Sequence, residues 1–306
     1  MPDKAAVTLM SISENATYLV DDEDGGRRLV IRIYRPGYQT EAEIRSELAW
    51  IEVLRAAGVV ETPRPVPTVG GELLCVLGDD VRRRRMAAFE FMAGCEPDPA
   101  GDIVRWYSRL GAVSATLHRQ SREWARPRGF TRKVWTFDTI IGARAHWGDW
   151  RAAPGLDGPG RAVLERAAGL LEVMTREYGN GPDRLRLIHC DMRPANLLVE
   201  GERLGLIDFD DCGLSWFIYD FAAAVSFLEH EPFLPDLMAA WVEGYRSVAP
   251  LSLEDEAALP MVVMLRRMQL TAWIASHAET PTARGLRPGY TRGTVDLAER
   301  FLSACG

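Results

Sequence analysis

The chain has 306 residues, 47% of them hydrophobic and 26% charged, with a formal net charge of −7. That length and core content suit one large domain or two lobes, and the acidic balance disfavours non-specific nucleic-acid binding. No apolar run is long enough to span a bilayer. The opening residues, MPDKAAVTLM, lack the basic head and apolar core of a secretory leader, so a cytoplasmic protein is expected. Five scattered cysteines (Cys75, Cys95, Cys190, Cys212, Cys305) never form a Cys-x-x-Cys pair, which argues against a disulfide framework and a zinc site. Gly-x-x-x-x-Gly-Lys-Ser/Thr, Gly-x-Gly-x-x-Gly and His-Glu-x-x-His are all missing, which excludes the usual P-loop, dinucleotide and zinc-hydrolase sites.

Residues 7–10 and 17–20 are short runs with β-branched members and read as strands around a loop at 11–16. An acidic turn at 21–26 ends in Gly25-Gly26, and a strand over 29–36 stops at Pro36. Over 40–57, Ile44, Leu48, Ile51 and Leu54 recur at three- and four-residue intervals, which predicts a helix with one apolar face. Thr40 and Glu43 have capping-box spacing, and Gly58 supplies the stop. Prolines extend 63–67. Residues 66–69, 72–77 and 86–92 read as further strands, with a basic hairpin end at 82–85. After Gly94 the pattern turns helical. Helices are predicted at 102–118, 159–178, 233–248, 254–277 and 290–304, with a loop at 281–288. Trp124, Trp135, Trp147 and Trp150 cluster among Arg, Gly and Pro, a composition that fits either a ligand wall or a core.

The most informative stretch is 187–211, LIHCDMRPANLLVEGERLGLIDFDD. Three apolar runs read as short strands, with a turn at 200–202 joining the last two. His189, Asp191, Asn196 and Asp208 stand at their ends. Carboxylate and amide oxygens are hard ligands of the kind Mg²⁺ takes alongside phosphate and water. The order His-x-Asp-x-x-x-x-Asn, hairpin, Asp-Phe-Asp is the layout of a kinase catalytic loop and its metal-binding Asp.

On these residues the chain resembles the protein-kinase-like small-molecule phosphotransferases: aminoglycoside phosphotransferases, choline kinases and type II homoserine kinases. Its nearest likeness there is to the stress response kinase branch. The resemblance implies an α+β, bilobal protein-kinase-like fold. Residues 1–92 would form an N-lobe of antiparallel sheet plus one helix, and 93–306 a mainly helical C-lobe. It also implies ATP (or GTP) as phosphoryl donor, Mg²⁺ as cofactor, and a small hydroxylated acceptor, with neither nucleic acid nor membrane as partner.

Residue by residue, the resemblance makes Asp191 the group that orients or deprotonates the acceptor hydroxyl. Asn196 and Asp208 become the metal ligands, His189 a buttress of the loop, and Asp220 an anchor for its backbone N–H groups. Residues 11–16 take the place of the phosphate-covering loop, without a glycine, and Ser13 is its candidate contact. Arg32 stands where the family carries a phosphate-binding lysine; Lys4 and Lys133 are the only lysines in the chain. Arginine keeps the charge and adds a fork that fits carboxylate and phosphate. Glu47 is its expected partner. Glu90, Phe91 and Met92 are the hinge candidates for adenine. Arg193 is placed to meet the transferred γ-phosphoryl group, and Asp210, Asp211, Trp135 and Trp147 are candidate acceptor contacts. His118 reads as a structural residue at a helix end.

The function so implied is ATP- and Mg²⁺-dependent phosphoryl transfer to a hydroxyl of an antibiotic, an amino alcohol or a hydroxy amino acid. Two other readings stay open from sequence: a protein Ser/Thr kinase of the stress response type, and a catalytically weak nucleotide-binding regulator. Residues 212–230 carry no Ala-Pro-Glu element, which weighs against the first. Arg32 and the glycine-free loop motivate the second.

Overall fold

The computed structural model describes residues 5–13, 15–22, 26–78, 83–98 and 101–305. Glu14 of the 11–16 loop, residues 23–25 of the acidic turn, Arg82 and the first four residues lie outside these. In chain order the strands and helices begin with β1 (Ala6–Ile12), β2 (Asn15–Asp22), β3 (Arg27–Tyr34) and α1 (Glu41–Ala56). Next come β4 (Pro65–Val66), β5 (Cys75–Leu77), β6 (Arg84–Glu90), α2 (Ile103–Glu123), α3 (Phe137–Ile140) and α4 (Gly158–Tyr178). Then follow β7 (Leu185–Ile188), β8 (Leu197–Glu200), β9 (Arg203–Leu206) and β10 (Gly213–Trp216). The chain ends with α5 (Tyr219–Ala224), α6 (Leu234–Arg246), α7 (Leu253–Ala257), α8 (Leu259–Ser276) and α9 (Pro281–Cys305).

These elements form two compact units: Met1–Glu96 with Trp124–Lys133 and Asn196–Asp210, and Pro97–Glu123 with Val134–Ala195 and Asp211–Gly306. The β8–β9 hairpin and 124–133, both in the second lobe if the chain is cut at 92/93, therefore pack with the first unit.

In the first unit an antiparallel sheet runs β1-β2-β3-β6-β4, with β5 also on β6. Central strand β3 pairs Arg32 with Thr17 on one side and Ala87 on the other. Helix α1 starts as its sequence predicts, with Thr40 and Glu43 closing a reciprocal capping box. Its buried face carries Ile44, Leu48, Ile51 and Leu54, together with Glu47. The hairpin pairs Leu197 with Leu206 and turns at Gly201, whose φ of +58 suits a residue without a Cβ. Backbone bonds tie it down: Val199 and Cys95 exchange N–H···O bonds of 2.8 and 3.1 Å, and Leu206 N–H donates to Glu61 O at 2.8 Å.

In the second unit α2 and α6 cross in backbone contact. A Cβ on Gly111 would lie 2.0 Å from the carbonyl oxygen of Trp241, and one on Gly244 would lie 1.7 Å from that of Ser108. Helix α8 is buried from Met261 to Ile274, with Arg266 and Arg267 inside that run. Buried apolar side chains contribute roughly 1.5–3 kcal/mol each. Met261, Val262, Leu265, Met268, Leu270 and Ile274 together outweigh the several kcal/mol that desolvating each guanidinium costs.

Several boundaries differ from expectation. The strands expected at 66–69 and 72–77 shrink to β4 and β5, and Val69 is fully exposed. The helix expected at 254–277 is two, because the Ser252–Asp255 capping box starts α7 and Pro260 sits in the first turn of α8. The loop expected at 281–288 is helical: α9 runs through it, accommodating Gly289 at φ +88. Helix α2 continues past His118 to Glu123, so His118 is not at a helix end. No helix among the described residues is long and apolar enough to cross a membrane.

Candidate active site

The first unit's polar centre is Arg32. From β3 its Nη1 donates to Glu47 Oε1 and its Nη2 to Asp208 Oδ1, both at 2.7 Å. The guanidinium lies 5.3 Å from the centre of the Phe89 ring. Glu47 is fully buried, and burial pushes its carboxyl up while Arg32 and Arg132 pull against it. Asp208 is different: its side chain is 34% exposed. Its backbone sits at φ +66, a region an L-residue occupies at a cost of order 1–3 kcal/mol and that clusters at functional sites. The hairpin brings the chain on either side together, since Ile207 N–H donates to Asn196 O at 2.9 Å.

The turn that follows Asp208 is anchored hard. Asn15 Nδ2 donates to Asp210 Oδ2 at 2.6 Å, while Asn15 Oδ1 accepts from Arg35 N–H at 3.2 Å. Gln39 and Arg132 both donate to the Asp210 carbonyl. Phe209 packs edge-on against Trp50 at 5.5 Å.

Ser13 turns β1 into β2, its N–H donating to Asn15 O at 3.0 Å. Of the three hinge candidates, Glu90 N–H donates to Arg64 O (2.9 Å) and Phe91 N–H to Arg28 O (3.2 Å). Those two donors are committed within the unit. Met92 N–H donates to no group among the described residues.

In the second unit the loop after β7 is held from both sides. Asp220, at the start of α5, accepts from Cys190 N–H at 2.7 Å and His189 N–H at 3.4 Å. The same carboxylate meets His118 Nε2 at 2.8 Å, and His118 Nδ1 lies 3.1 Å from the Tyr245 hydroxyl. Burial lowers the His118 pKa against the pull of Asp220, so the ring is neutral, with Nε2–H donating to Asp220 and Tyr245 donating to Nδ1. Cys190 turns through φ +67, and the His189 ring accepts Asp191 N–H at 3.2 Å. The Asp191 carboxylate meets two arginines: Arg266 Nη2 at 2.6 Å on Oδ1 and Arg193 Nε at 3.3 Å on Oδ2. Burial would raise this carboxyl, but Arg193, Arg266 and His189 overcome it and hold it below the ordinary value.

The second unit thus holds Asp191 ionised between arginines, and the first holds Asp208 on a buried cation at a hairpin end. Residues 8–251 match the model of the APH family, described as a phosphotransferase enzyme family. The chain belongs to the APH phosphotransferase family. This kinase is 40% identical to the solved microcompartment-associated aminopropanol kinase, covering 100% of its own chain and 95% of that one at a TM-score of 0.90. It is 26% identical over 286 residues to a homoserine kinase of Gluconobacter oxydans, covering 89% of its own chain and 83% of that protein. An amicoumacin kinase solved with AMP-PNP, Ca²⁺ and Ami shares the fold at 20% identity and a TM-score of 0.78, over 97% and 89% of the two chains. The fold is protein-kinase-like, and the chain is a small-molecule kinase whose acceptor group is a hydroxyl.

The donor set of the kinase fits a hard divalent ion. Asp208 offers Oδ2, which accepts no hydrogen bond among the described residues, and Asn196 offers an amide. No group of three or more His, Cys, Asp or Glu among the described residues could cage a metal. Carboxylate and amide oxygens are hard ligands of the kind a divalent ion takes together with phosphate and water.

Of the candidate acceptor contacts, Trp135 and Trp147 are buried: Trp135 Nε1 donates to Asp211 O at 2.9 Å, and the two rings pack edge-on at 5.5 Å. Asp210 is engaged by Asn15 inside the first unit. Asp211 is buried too, at the edge of β10. Sequence reasoning missed Arg266, Asn15, Gln39 and Arg132. Only Arg266 left a signal, as one of two adjacent charges inside the apolar run of α8, where a buried charge must find a partner.

Proposed function

We propose that this protein transfers the γ-phosphoryl group of ATP, with Mg²⁺, to the hydroxyl of a small amino alcohol of the aminopropanol type. The observation that carries the reading is the 40% identity to an aminopropanol kinase along the entire chain. The homoserine kinase relatives support the same acceptor chemistry, a short aliphatic chain bearing one hydroxyl and one amine.

In this reading the acceptor oxygen forms a bond to the γ-phosphorus as the bond from that phosphorus to the bridging oxygen of ADP breaks. The hydroxyl proton passes to Asp191 and then to solvent. Asp191 stays ionised because two arginines face it, so it can accept that proton late in a loose transition state. Arg193, with a side chain 31% exposed and a long bond to Asp191, reaches for the transferred group. Arg32 neutralises phosphate charge while Glu47 holds it in place. Asn196 and Asp208 would hold Mg²⁺, which supplies charge cancellation on the phosphates. Ser13 and the Met92 N–H would serve the triphosphate and the adenine edge.

The test is a Mg²⁺-dependent assay of ADP or GDP release over aminopropanol, ethanolamine, homoserine, choline and aminoglycosides, with the product identified by ³¹P NMR as a phosphate monoester. The highest kcat/KM is expected for aminopropanol with ATP. Absence of turnover with every amine-bearing alcohol, with either nucleotide, would remove the proposal.

A further inference from the structure

We propose that Arg266 is the positioning residue of the catalytic carboxylate: a buried arginine of α8 that fixes Oδ1 of Asp191, while Arg193 lies at Oδ2. This rests on the kinase reading above, in which Asp191 takes the acceptor's proton.

The argument starts from burial. The Arg266 side chain is 3% exposed, and a guanidinium taken out of water needs its donors filled and its charge answered. Its Nε donates to Ser226 Oγ at 3.0 Å and its Nη1 to Gln269 Oε1 at 3.2 Å, an oxygen that also accepts from the Tyr219 hydroxyl. Its face lies 5.0 Å from the centre of the Trp147 ring. All these partners are neutral. The carboxylate it bonds directly, at 2.6 Å, is Asp191. Because the guanidinium is planar, pinning Nε, Nη1 and one face leaves Nη2 a single direction. Trp147 is thus the platform of the arginine that holds Asp191.

Arg193 cannot do this work as well. Its bond to Asp191 is 3.3 Å and its side chain is ten times more exposed than that of Arg266. Among the described residues, the charged and titratable groups that act on the carboxylate include Arg193 and His189 from its own loop and Arg266 from α8. Tyr219 of α5 and Asp211, before β10, act on Arg266 in turn. Removing Arg266 removes one of the cations that keep Asp191 low, so its pKa rises.

The experiment uses the full chain with Arg266→Gln and Arg266→Lys, assayed with Mg²⁺-ATP and aminopropanol. Arg266→Gln is expected to lower kcat about 100-fold, the scale of a small misplacement of a reacting group, with the KM for ATP unchanged. It should also move the acid limb of kcat/KM up by about one pH unit. Arg266→Lys keeps the charge and loses the fork, so it should leave the acid limb in place and lower kcat about 10-fold. Wild-type kcat and acid limb in Arg266→Gln would overturn the proposal, as would equal kcat losses in both variants without any movement of the acid limb. If Arg266→Gln does not fold, Ser226→Ala and Trp147→Phe loosen the same arginine without removing its charge. Each should lower kcat several-fold at unchanged ATP KM, and wild-type kinetics in both would overturn it. A substrate-free readout separates this proposal from the choice of acceptor: ¹³C-carboxyl aspartate NMR, with Asp191 assigned by Asp191→Asn. A wild type that phosphorylates no amino alcohol refutes the acceptor reading alone. An Asp191 titration unaltered by Arg266→Gln refutes the pairing.

Discussion

Each unit holds a carboxylate on an arginine, and the two pairs are built differently. In the first, Arg32 is shared between fully buried Glu47 and partly exposed Asp208. If Asp208 turns to another cation, Arg32 still has Glu47 beside it. In the second, Arg266 has neutral side partners, and its directly bonded carboxylate is Asp191. An arginine with two carboxylates can exchange one of them; an arginine with one must keep it. The contrast suits the proposed roles, since Asp208 would have to accept a metal and Asp191 would have to stay still.

The sharpest way to break the contrast is Asp191→Asn. Its kcat should fall about 10³-fold, within the range of general-base contributions, while calorimetry shows nucleotide binding intact; a loss below tenfold would deny Asp191 its role. Next is Arg32→Ala, which strands buried Glu47. A loss of about 3–5 kcal/mol in urea unfolding is expected, as for a broken buried pair, and the double variant Arg32→Ala/Glu47→Gln should recover part of it. Equal stability of the single and double variants would mean Glu47 is not held by Arg32. A smaller effect is expected from Trp135→Phe, which keeps a ring and loses the N–H to Asp211 O. The cost is about 1–2 kcal/mol of stability with the acceptor KM unchanged; a raised acceptor KM would put Trp135 on the acceptor wall.

The smallest effect concerns the frame of the catalytic loop. His118 is neutral when folded because burial depresses its pKa, whereas in the unfolded chain it protonates near pH 6.5. Stability is therefore fully present above the unfolded value and falls as pH drops from about 7 toward 5. In His118→Gln the melting temperature should vary less over that window. An unchanged slope would mean that another group carries it.

What could be read in advance was local. Thr40 and Glu43 predict the start of α1 because their partners lie three residues apart, and the apolar spacing of Ile44 to Leu54 predicts its buried face. The β8–β9 hairpin was legible from its own turn. Resemblance pointed to Arg32, Glu47 and Asp220, whose bonds the structure contains. The indole of Trp135 could not be assigned, because an aromatic cluster reads alike whether it lines a ligand or a core. The break before α8 and the helical course of 281–288 were missed because prolines and glycines mark both loop and helix starts.

The amino-acid sequence alone determined the kinase-like layout of 187–211 and the alternation of strand and helix, since each rests on spacing within a short window, and that layout carried the resemblance that implies phosphotransferase chemistry. Only the tertiary structure decided that Asn15 bonds Asp210 from 195 residues away and that Arg266 reaches Asp191 across 75. A buried polar group needs a partner, and a linear sequence shows the need without naming the partner; that choice is made when distant elements pack and exclude water.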